Sequence, residues 1–339
     1  MDTSSVGAVR EPPLTLLVGV YSDLGFWNLP AAHVRRLQDW FPEHAILHAT
    51  SAAQTMELIP EADVILMSEL RAAQFAAARK VRWIHSPAAG VGGMLFPELV
   101  ASPVILTNSR GLGATTIAEH VLAVTLAVFR RLPMVLASQQ ARRWAQAEAF
   151  GPPGPKTISG ARALVIGMGT IGQEVARNFV ALGATVTGIR RRAAPADASS
   201  IRTESPGRLL HLLPEADVVV IAAPLTRETR GLIGARELAA MRADALVVNV
   251  SRGKIIDEAA LIRALADHTI GGAALDVFEH EPLASDSPLW SMPNVLITPH
   301  MAGFRSEHWD DVIALFAENL RRFVEGRDLL NVVDKVAGY

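Results

Sequence analysis

Short apolar runs alternate with helix-length segments along most of the chain. In the first third, helix-length segments such as Ala31–Trp40 and Ala52–Leu58 separate runs that have the apolar character of buried strands. Such alternation is typical of a parallel sheet covered by helices, and it predicts an α/β fold. The predicted strands here are Leu14–Val20, Ala45–Ala49, Val64–Met67, Val81–Ile84 and Val104–Thr107.

The same alternation returns in the second half of the chain, which therefore predicts a second parallel sheet. The Gly/Pro-rich segment from Gly151 to Pro155 interrupts the pattern and is a first candidate for a domain boundary. An amphipathic helix is predicted over Asp311–Arg322, with Gly326 as its terminator. The predicted strands of this half are Ala163–Ile166, Thr185–Ile189, Val218–Ala222, Leu246–Val250, Ala273–Val277 and Val295–Thr298.

Composition limits the classes of protein that this chain can belong to. A chain of 339 residues with 50% hydrophobic and 19% charged residues can bury a large core and suits two domains. The formal charge of −2 provides no overall field for an anionic partner, so we expect neither a nucleic-acid partner nor membrane binding. Because cysteine is absent, disulfides, cysteine–zinc sites and cysteine nucleophiles are excluded. No histidine–carboxylate spacing indicates a metal site.

Targeting signals are not evident in the sequence. The polar segment Met1–Pro13 lacks the apolar core of a signal peptide. The apolar run Val121–Phe129 is much shorter than the roughly 20 residues that cross a bilayer. We therefore expect a soluble, cytoplasmic protein.

A glycine motif follows the first strand of the second half. Gly167, Gly169 and Gly172 form the pattern Gly-x-Gly-x-x-Gly between this strand and a helix predicted over Gln173–Ala181. The first glycine permits a tight turn, the second lets a pyrophosphate approach the backbone, and the third lets helix and strand pack closely. A purely structural turn is the alternative, but the order strand, glycines, helix and strand predicts dinucleotide binding.

Three arginines end the next strand and bear on the choice of cofactor. Dinucleotide-binding domains commonly carry an acidic residue here that binds the ribose 2′-hydroxyl, whereas this chain has Arg190, Arg191 and Arg192. Guanidinium groups bind a 2′-phosphate through charge-assisted hydrogen bonds. We therefore predict NADP(H) as the preferred cofactor and NAD(H) as the alternative; a solvated basic loop is the competing interpretation.

Three further polar residues follow late strands of the second half. Arg252, Glu281 and His300 all come after strand ends, and the carboxyl ends of parallel strands lie at one edge of the sheet. A cation that polarises a carbonyl, an acid that protonates the resulting alkoxide and a carboxylate that keeps this acid protonated are what reduction of a 2-keto acid requires. Each residue alone could be an ordinary loop residue, but their common placement predicts an active site.

Six stretches of the chain together carry a family resemblance. They are Ile117–His120, Val165–Gly172, Ala223–Leu225 with Thr226–Thr229, Asn249–Gly253, Leu275–Leu283 and Pro293–His300. With them the chain resembles the D-2-hydroxyacid dehydrogenase family over nearly its whole length. The resemblance implies two parallel-sheet domains, Rossmann-like and flavodoxin-like, with a cleft between them. It implies a discontinuous substrate domain, 1–108 plus 305–339, and a dinucleotide-binding domain, 109–304, and so overrules a boundary at Gly151.

The resemblance also implies roles for individual residues. Arg252 would orient the substrate, His300 would act as acid and base with Glu281 as its partner, and Asp276 would lie near the nicotinamide carboxamide. The apolar helix predicted over Thr115–Arg130 would form a homodimer. The implied cofactor contacts are Gly167, Gly169, Thr170, Ile171, Gly172, Arg190, Arg191, Pro224, Thr229, Val250, Ser251, Asp276, Thr116 and Gly303.

Candidate substrate contacts lie in two further segments. The amides of Gly90, Val91 and Gly92 suit a carboxylate, as in the similar family loop, although a structural turn explains their spacing equally well. The loop lacks the lysine of phosphite-oxidising relatives, so phosphite is not expected. Trp290 and Met301 resemble pocket-wall positions of glyoxylate/hydroxypyruvate reductases, and a core position for the tryptophan is the alternative.

These features favour an NADPH-dependent reductase that converts a small 2-keto acid, such as glyoxylate or hydroxypyruvate, reversibly to the D-2-hydroxy acid. An NAD-linked D-2-hydroxyacid dehydrogenase for larger side chains is a second interpretation. A dinucleotide-sensing regulatory protein on the same fold is a third, but the complete Arg–Glu–His set favours catalysis. His120 and His280 are expected to be structural.

Overall fold

The computed structural model describes residues 12–152, 154–191 and 201–338, which fold into two compact units. The first unit comprises the described residues up to Leu112 together with those from Arg305 onward. The second unit is Gly113–Phe304. Gly151 lies inside this second unit, so the Gly/Pro-rich segment is not a boundary between the units. That the first unit binds substrate stays a prediction.

All strands pair in parallel within two sheets. The strands are β1 Thr15–Gly19, β2 Ala45–His48, β3 Val64–Met67, β4 Trp83–Ser86, β5 Ile105–Asn108, β6 Arg162–Ile166, β7 Thr185–Ile189, β8 Arg202–Glu204, β9 Val218–Ile221, β10 Leu246–Asn249, β11 Gly272–Leu275 and β12 Val295–Ile297. The α-helices are α1 Ala31–Trp40, α2 Ala52–Leu58, α3 Ala72–Ala77, α4 Pro97–Ala101, α5 Ala114–Phe129, α6 Leu132–Gln140, α7 Gln146–Phe150, α8 Thr170–Ala181, α9 Leu209–Leu212, α10 Ala235–Ala240, α11 Glu258–Ala266 and α12 His308–Val324.

The first unit is built on a five-stranded sheet with the order β2-β1-β3-β4-β5. Successive residues of the central strand β1, such as Leu16 and Leu17, belong to different core clusters, so apolar side chains cover both faces of the sheet. The C-terminal helix α12 packs on one face, where the Phe316 ring stacks on Trp83 with centroids 5.1 Å apart. The fold expectation of a parallel flavodoxin-like sheet is confirmed for this unit.

The second unit is built on a seven-stranded sheet with the order β12-β11-β10-β9-β6-β7-β8. After β6 the chain passes to β7 and β8 on one side, and then returns to β9 on the other side. This change of direction creates the switch point at which Rossmann-type sheets bind dinucleotides. The glycine motif directly follows β6, so it lies at this switch point.

Strand β8, Arg202–Glu204, is missing from the sequence prediction. It consists of Arg, Thr and Glu, and it pairs with β7 at the edge of the sheet. An edge strand can be short and polar because one of its sides faces solvent, so it leaves no apolar pattern. The predicted helices differ less, since α12 begins at His308 rather than Asp311 and α8 begins at Thr170 rather than Gln173.

Among residues 12–152, 154–191 and 201–338, no single helix is long and apolar enough to cross a membrane. Helices α5 and α6 reach the length and apolar composition of a membrane span only when they are counted together as one bent pair. The buried side chains of α5, including Ala118 and Val121, belong to the core cluster that α8 and the central strands share. The apolar character of α5 is therefore accounted for by packing within the second unit.

Candidate active site

The last residues of six strands lie in register at one edge of the second unit's sheet. Backbone pairing aligns Ile166, Ile189, Ile221, Asn249, Leu275 and Ile297 across β6, β7, β9, β10, β11 and β12. The loops that follow these residues therefore emerge side by side. They contain the glycine motif, the arginines and the predicted catalytic residues, all within one unit.

The glycine motif has the backbone geometry that a dinucleotide requires. Gly167 has a φ of +99°, and a Cβ there would lie 2.5 Å from the Ala223 nitrogen. A Cβ on Gly172 would lie 1.8 Å from the Gly167 carbonyl oxygen, so only glycine lets α8 approach β6 this closely. A Cβ on Gly169 would meet nothing within 4 Å, which leaves space above the start of α8. The amides of Thr170 and Ile171 begin this helix, and a helix N-terminus is suited to bind pyrophosphate oxygens. Their contact with a cofactor stays a prediction.

The arginines after β7 have different surroundings. The Arg190 amide donates to the Glu204 carbonyl oxygen at 3.1 Å, which fixes its backbone to β8, and its side chain is half-buried. Arg191 is exposed, and its charge acts on Glu228. A hydrogen bond from Thr226 is the main cause that lowers the pKa of Glu228, and the charge of Arg191 adds to it. Arg192 lies outside the described residues.

Asn249 organises the loop that carries Arg252. Its buried side chain accepts a hydrogen bond from the Ser251 amide at 3.1 Å and donates one to the Arg252 carbonyl oxygen at 3.1 Å. The Ser251 hydroxyl donates to the Ala223 carbonyl oxygen, which links this loop to the loop after β9. Sequence reasoning missed this role of Asn249, although the residue opens one of the family-like stretches.

Gly253 brings the arginine loop against the loop that carries Glu281. A Cβ on Gly253 would lie 1.8 Å from the Phe278 carbonyl carbon, so the two backbones touch. The Phe278 amide donates to Glu281 Oε1 at 3.0 Å. The arginine and the glutamate are thereby held on adjacent loops, and the charge of Arg252 acts on the carboxylate.

Glu281 and His300 are joined by a hydrogen bond. Glu281 Oε2 lies 2.6 Å from His300 Nδ1, and the two side chains are 34% and 48% exposed. Partial burial acts to raise the pKa of Glu281, but hydrogen bonds from His300 and Phe278 and the charges of His300 and Arg252 outweigh it and lower the pKa. The carboxylate therefore stays ionised at neutral pH. Because Nδ1 faces Glu281, Nε2 is the ring nitrogen that points away from this carboxylate.

Asp276 holds the backbone around His300. The Asp276 carbonyl oxygen accepts a hydrogen bond from the His300 amide at 2.8 Å. Its carboxylate accepts the amides of Met301 and Ala302 at 2.9 and 3.0 Å. His300 itself has a φ of +51°, a left-handed conformation that is strained for a side-chain-bearing residue. The structure thus gives Asp276 a local task, and its expected contact with the nicotinamide stays a prediction.

The remaining predicted cofactor residues lie on the same edge or beside it. The Thr229 hydroxyl donates to the Pro224 carbonyl oxygen at 2.6 Å and so closes the turn after β9. Val250 directly follows β10. Thr116 lies in the first turn of α5, next to Gly113, whose Cβ position is 3.3 Å from the Gly303 carbonyl oxygen. The structure therefore gathers these residues within the second unit, and their contacts with a cofactor stay predictions.

The predicted carboxylate-binding loop belongs to the first unit. Gly90 and Gly92 are exposed, whereas the Val91 side chain is buried in the core, so Val91 can contribute only its backbone. Asn108 Nδ2 donates to the Ala89 carbonyl oxygen at 2.6 Å and fixes the loop to the end of β5. The loop is thus held in place by a hydrogen bond, and its binding of a carboxylate stays a prediction.

Trp290 and Met301 are both more than half exposed, which excludes a core position for the tryptophan. The Trp290 indole N–H donates to the Ala284 carbonyl oxygen at 2.9 Å, so the ring is fixed although it is exposed.

His280 is exposed. His120, by contrast, is partly buried, and it contacts Thr298, two residues before His300 in the chain.

This fold and this edge are those of α/β proteins that bind a dinucleotide at the switch point of a Rossmann-type sheet. A family model described as "D-isomer specific 2-hydroxyacid dehydrogenase, NAD binding domain" matches residues 122–302. The chain belongs to the D-isomer specific 2-hydroxyacid dehydrogenase family, and the resemblance noted in the sequence is confirmed.

Curated relatives differ in length and in name. Glyoxylate/hydroxypyruvate reductase B of Klebsiella pneumoniae is 32% identical over 318 residues, which cover 91% of this chain and 96% of the relative. Glyoxylate reductase of Korarchaeum cryptofilum is 33% identical, with 80% and 81% covered. D-3-phosphoglycerate dehydrogenase of Mycobacterium tuberculosis is 33% identical over 81% of this chain. This chain spans only 52% of that protein, about half its length.

Solved structures share the fold over nearly the whole chain. A D-isomer specific 2-hydroxyacid dehydrogenase family protein from Aeromonas salmonicida is 32% identical with a TM-score of 0.82, and 96% of this chain and 100% of that chain are covered. A D-isomer specific 2-hydroxyacid dehydrogenase from Xanthobacter autotrophicus, solved in complex with NADPH and MES, is 30% identical with a TM-score of 0.79 and the same coverage. The expectation of two parallel-sheet α/β domains is confirmed.

Proposed function

We propose that this protein uses NADPH to reduce a small 2-keto acid of the glyoxylate or hydroxypyruvate kind, reversibly, to the D-2-hydroxy acid. The observation that carries the proposal is the 2.6 Å hydrogen bond between Glu281 and His300, on the sheet edge that also bears the glycine motif. A histidine paired with an ionised carboxylate is an acid suited to protonate a developing alkoxide. The relatives named as glyoxylate reductases support the substrate class.

Each side chain has a separate task in this reaction. Arg252 binds the substrate carboxylate and polarises the carbonyl oxygen. A reduced nicotinamide, when bound, supplies a hydride to the carbonyl carbon. His300 gives the proton on Nε2 to the carbonyl oxygen, so that the C=O π bond is replaced by one C–H and one O–H bond. Glu281 stabilises the imidazolium before the transfer and fixes the ring so that Nε2 is presented.

Turnover of glyoxylate, hydroxypyruvate and pyruvate with NADPH and with NADH tests this proposal. Consumption of reduced cofactor and chiral analysis of the product should show the D-2-hydroxy acid. His300→Ala should lower the reduction rate by roughly 10²–10⁴-fold, the range for a positioned acid. If the wild type binds either cofactor but turns over no 2-keto acid, the enzyme proposal fails and a dinucleotide-sensing role is favoured.

The preference for NADPH is proposed from Arg190. Arg190 is a half-buried residue directly after β7, where an acidic residue would bind the ribose of NAD(H). Arg191 has an acidic neighbour in Glu228, so we assign the larger share of 2′-phosphate binding to Arg190. The relatives solved with NADPH or NADP, from Xanthobacter autotrophicus and Sinorhizobium meliloti, support this choice.

Fluorescence titration of both cofactors tests the preference. A charge-assisted hydrogen bond contributes about 1.5–3 kcal/mol, so NADPH should bind at least about tenfold tighter than NADH. Arg190→Asp should reverse the order, and Arg236→Asp, an equal change of charge on exposed helix α10, should not. Equal wild-type affinities would refute the proposal.

A second candidate activity is the NAD-linked oxidation of a D-2-hydroxy acid with a larger side chain. The identity to D-3-phosphoglycerate dehydrogenases favours it, although this chain spans about half of their length. D-3-phosphoglycerate with NAD therefore belongs in the same set of assays. A kcat/KM for this substrate above that for glyoxylate would replace the leading proposal.

We further propose that two copies of the chain associate through the α6–α7 segment. Helix α5 exposes no large apolar side chain, whereas this segment exposes several. Sedimentation velocity should detect a homodimer, which Trp144→Ser combined with Phe150→Ser should dissociate. Leu24→Ser, at another exposed apolar position, is the control. The exposed residues of the segment are Leu132, Val135, Leu136, Trp144 and Phe150.

A further inference from the structure

His120 lies on α5, yet it reaches the loop that carries His300. Its Nε2 is 3.1 Å from the hydroxyl oxygen of Thr298, a residue 178 positions further along the chain. The Thr298 hydroxyl in turn donates to Asp276 Oδ1 at 2.7 Å. His120 lies on α5, Thr298 follows β12 and Asp276 follows β11. These three side chains therefore form one continuous chain of hydrogen bonds.

The direction of these hydrogen bonds is fixed by counting protons. A threonine hydroxyl has one proton, and Thr298 gives it to Asp276, so the hydroxyl oxygen accepts from His120. Partial burial lowers the pKa of His120, although the charge of Asp276 opposes this effect. The imidazole is therefore neutral at neutral pH, and its single proton lies on Nε2.

Asp276 links the contact between His120 and Thr298 to the loop that carries His300. Its side chain is 2% exposed, and a buried carboxylate is strongly destabilised unless its oxygens accept hydrogen bonds. The hydroxyl of Thr298 and the amides of Met301 and Ala302 supply them, on both sides of His300 in sequence. Loss of the hydrogen bond from the Thr298 hydroxyl would weaken the set of contacts that keeps His300 in its left-handed conformation.

We propose that His120 is a positioning residue, which acts through Thr298 and Asp276 to hold His300 in register with Glu281 and with the substrate. This inference rests on the proposed function, because its main consequence is for the acid–base step. His120 touches neither Glu281 nor His300 in the described contacts, so it is not itself a catalytic residue. A small displacement of the loop suffices for an effect, since a misplacement of about 1 Å can cost roughly a hundredfold in rate.

Three variants separate positioning from packing. His120→Leu fills much of the same space without a donor, whereas His120→Gln restores an N–H at about the position of Nε2. Thr298→Val removes the hydroxyl at nearly constant volume. Glu119→Gln is the matched control, since Glu119 is the exposed neighbour of His120 on α5.

We expect His120→Leu and Thr298→Val each to lower kcat by roughly tenfold to a hundredfold, with the Kd for NADPH unchanged. His120→Gln should recover most of the rate, and His120→Leu with Thr298→Val together should be no worse than either alone. Without any cofactor, the imidazole ¹⁵N spectrum should show the His120 proton on Nε2. The same spectrum should show the His300 Nδ1 proton exchanging faster in His120→Leu.

The outcomes distinguish this inference from the proposed function. If the wild type reduces no 2-keto acid, the proposed function fails, but the NMR measurements still test the hydrogen-bond chain. If the wild type is active and His120→Leu retains its kcat, the positioning inference is overturned. Additive losses in the double variant, or a failure of Gln to rescue, would also overturn it and would assign His120 to packing alone.

Discussion

The negative charge of Glu281 can be removed with little change of shape by Glu281→Gln. In the wild type, one carboxylate oxygen accepts from the Phe278 amide at 3.0 Å and the other lies 2.6 Å from His300 Nδ1. Glutamine can keep the first contact through its carbonyl oxygen, but it offers His300 no charge. The substitution therefore tests whether the carboxylate holds the proton on the imidazole.

The magnitude follows from the geometry of the pair. A hydrogen bond with a charged partner contributes about 1.5–3 kcal/mol, and solvent screening of two partly exposed side chains favours the lower end. Their exposures of 34% and 48% place the pair in this screened regime. Since about 1.4 kcal/mol corresponds to a tenfold change in rate, Glu281→Gln should lower kcat/KM for keto-acid reduction by at least roughly tenfold.

The assay is kcat/KM for keto-acid reduction, measured from neutral to alkaline pH in wild type and variant. The rate falls because glutamine carries no charge to support the imidazole of His300 as the acid, and because it fixes the ring less firmly than the carboxylate does. High salt should narrow the gap between the two proteins. Equal kcat/KM values in wild type and variant over this pH range would refute the pairing.

Three further substitutions test other parts of the molecule. Arg252→Lys keeps the positive charge but loses the planar guanidinium group, which can donate two parallel hydrogen bonds. Steady-state kinetics should therefore show a raised KM and a lowered kcat. Wild-type values of both constants in this variant would contradict bidentate binding. Gly253→Ala places a Cβ 1.8 Å from the Phe278 carbonyl carbon and should lower both activity and Tm, while Gly207→Ala, with nothing within 4 Å, should lower neither. Burial lowers the pKa of His85 from 6.5 to about 3, so the folded state keeps it neutral and stability should fall as pH drops through this window. In urea unfolding, His85 should contribute a slope of at most about 1.4 kcal/mol per pH unit to the free energy of unfolding as a function of pH. His85→Gln should reduce this slope. An equal slope in wild type and variant would contradict the assignment to His85.

The sheets were predictable because their strands are buried on both faces. The strand predicted over Val64–Met67 matches β3 residue for residue, since all its side chains are apolar and buried. Helices α1 and α2 also match their predicted bounds. The polar edge strand β8 was not predictable, because its stability comes from backbone pairing with β7 and not from a pattern of side chains.

The common placement of Arg252, Glu281 and His300 was predictable, because each follows a strand end and parallel pairing brings these ends to one edge. Their catalytic roles stay predictions. The residues that fix them were less accessible to sequence reasoning. Asn249 and Thr298 act through hydrogen bonds to backbone or to another side chain, and such polar residues are common in loops. The sequence predicts a structural role for His120, and nothing in its own helix indicates a hydrogen-bond partner as distant as Thr298. Only the folded chain brings these donors and acceptors together.

Asp276 shows why a buried charge can persist beside an active site. Replacing such a carboxylate by an apolar residue often costs little stability, so stability alone does not explain it. Its oxygens instead fix the amides after His300 and the hydroxyl before it, and its carbonyl oxygen fixes the His300 amide. A loop in a left-handed conformation would otherwise relax and carry the imidazole away from Glu281. The buried carboxylate is thus best explained by the precision it gives to the 2.6 Å contact between His300 and Glu281, on which the proposed proton transfer would depend.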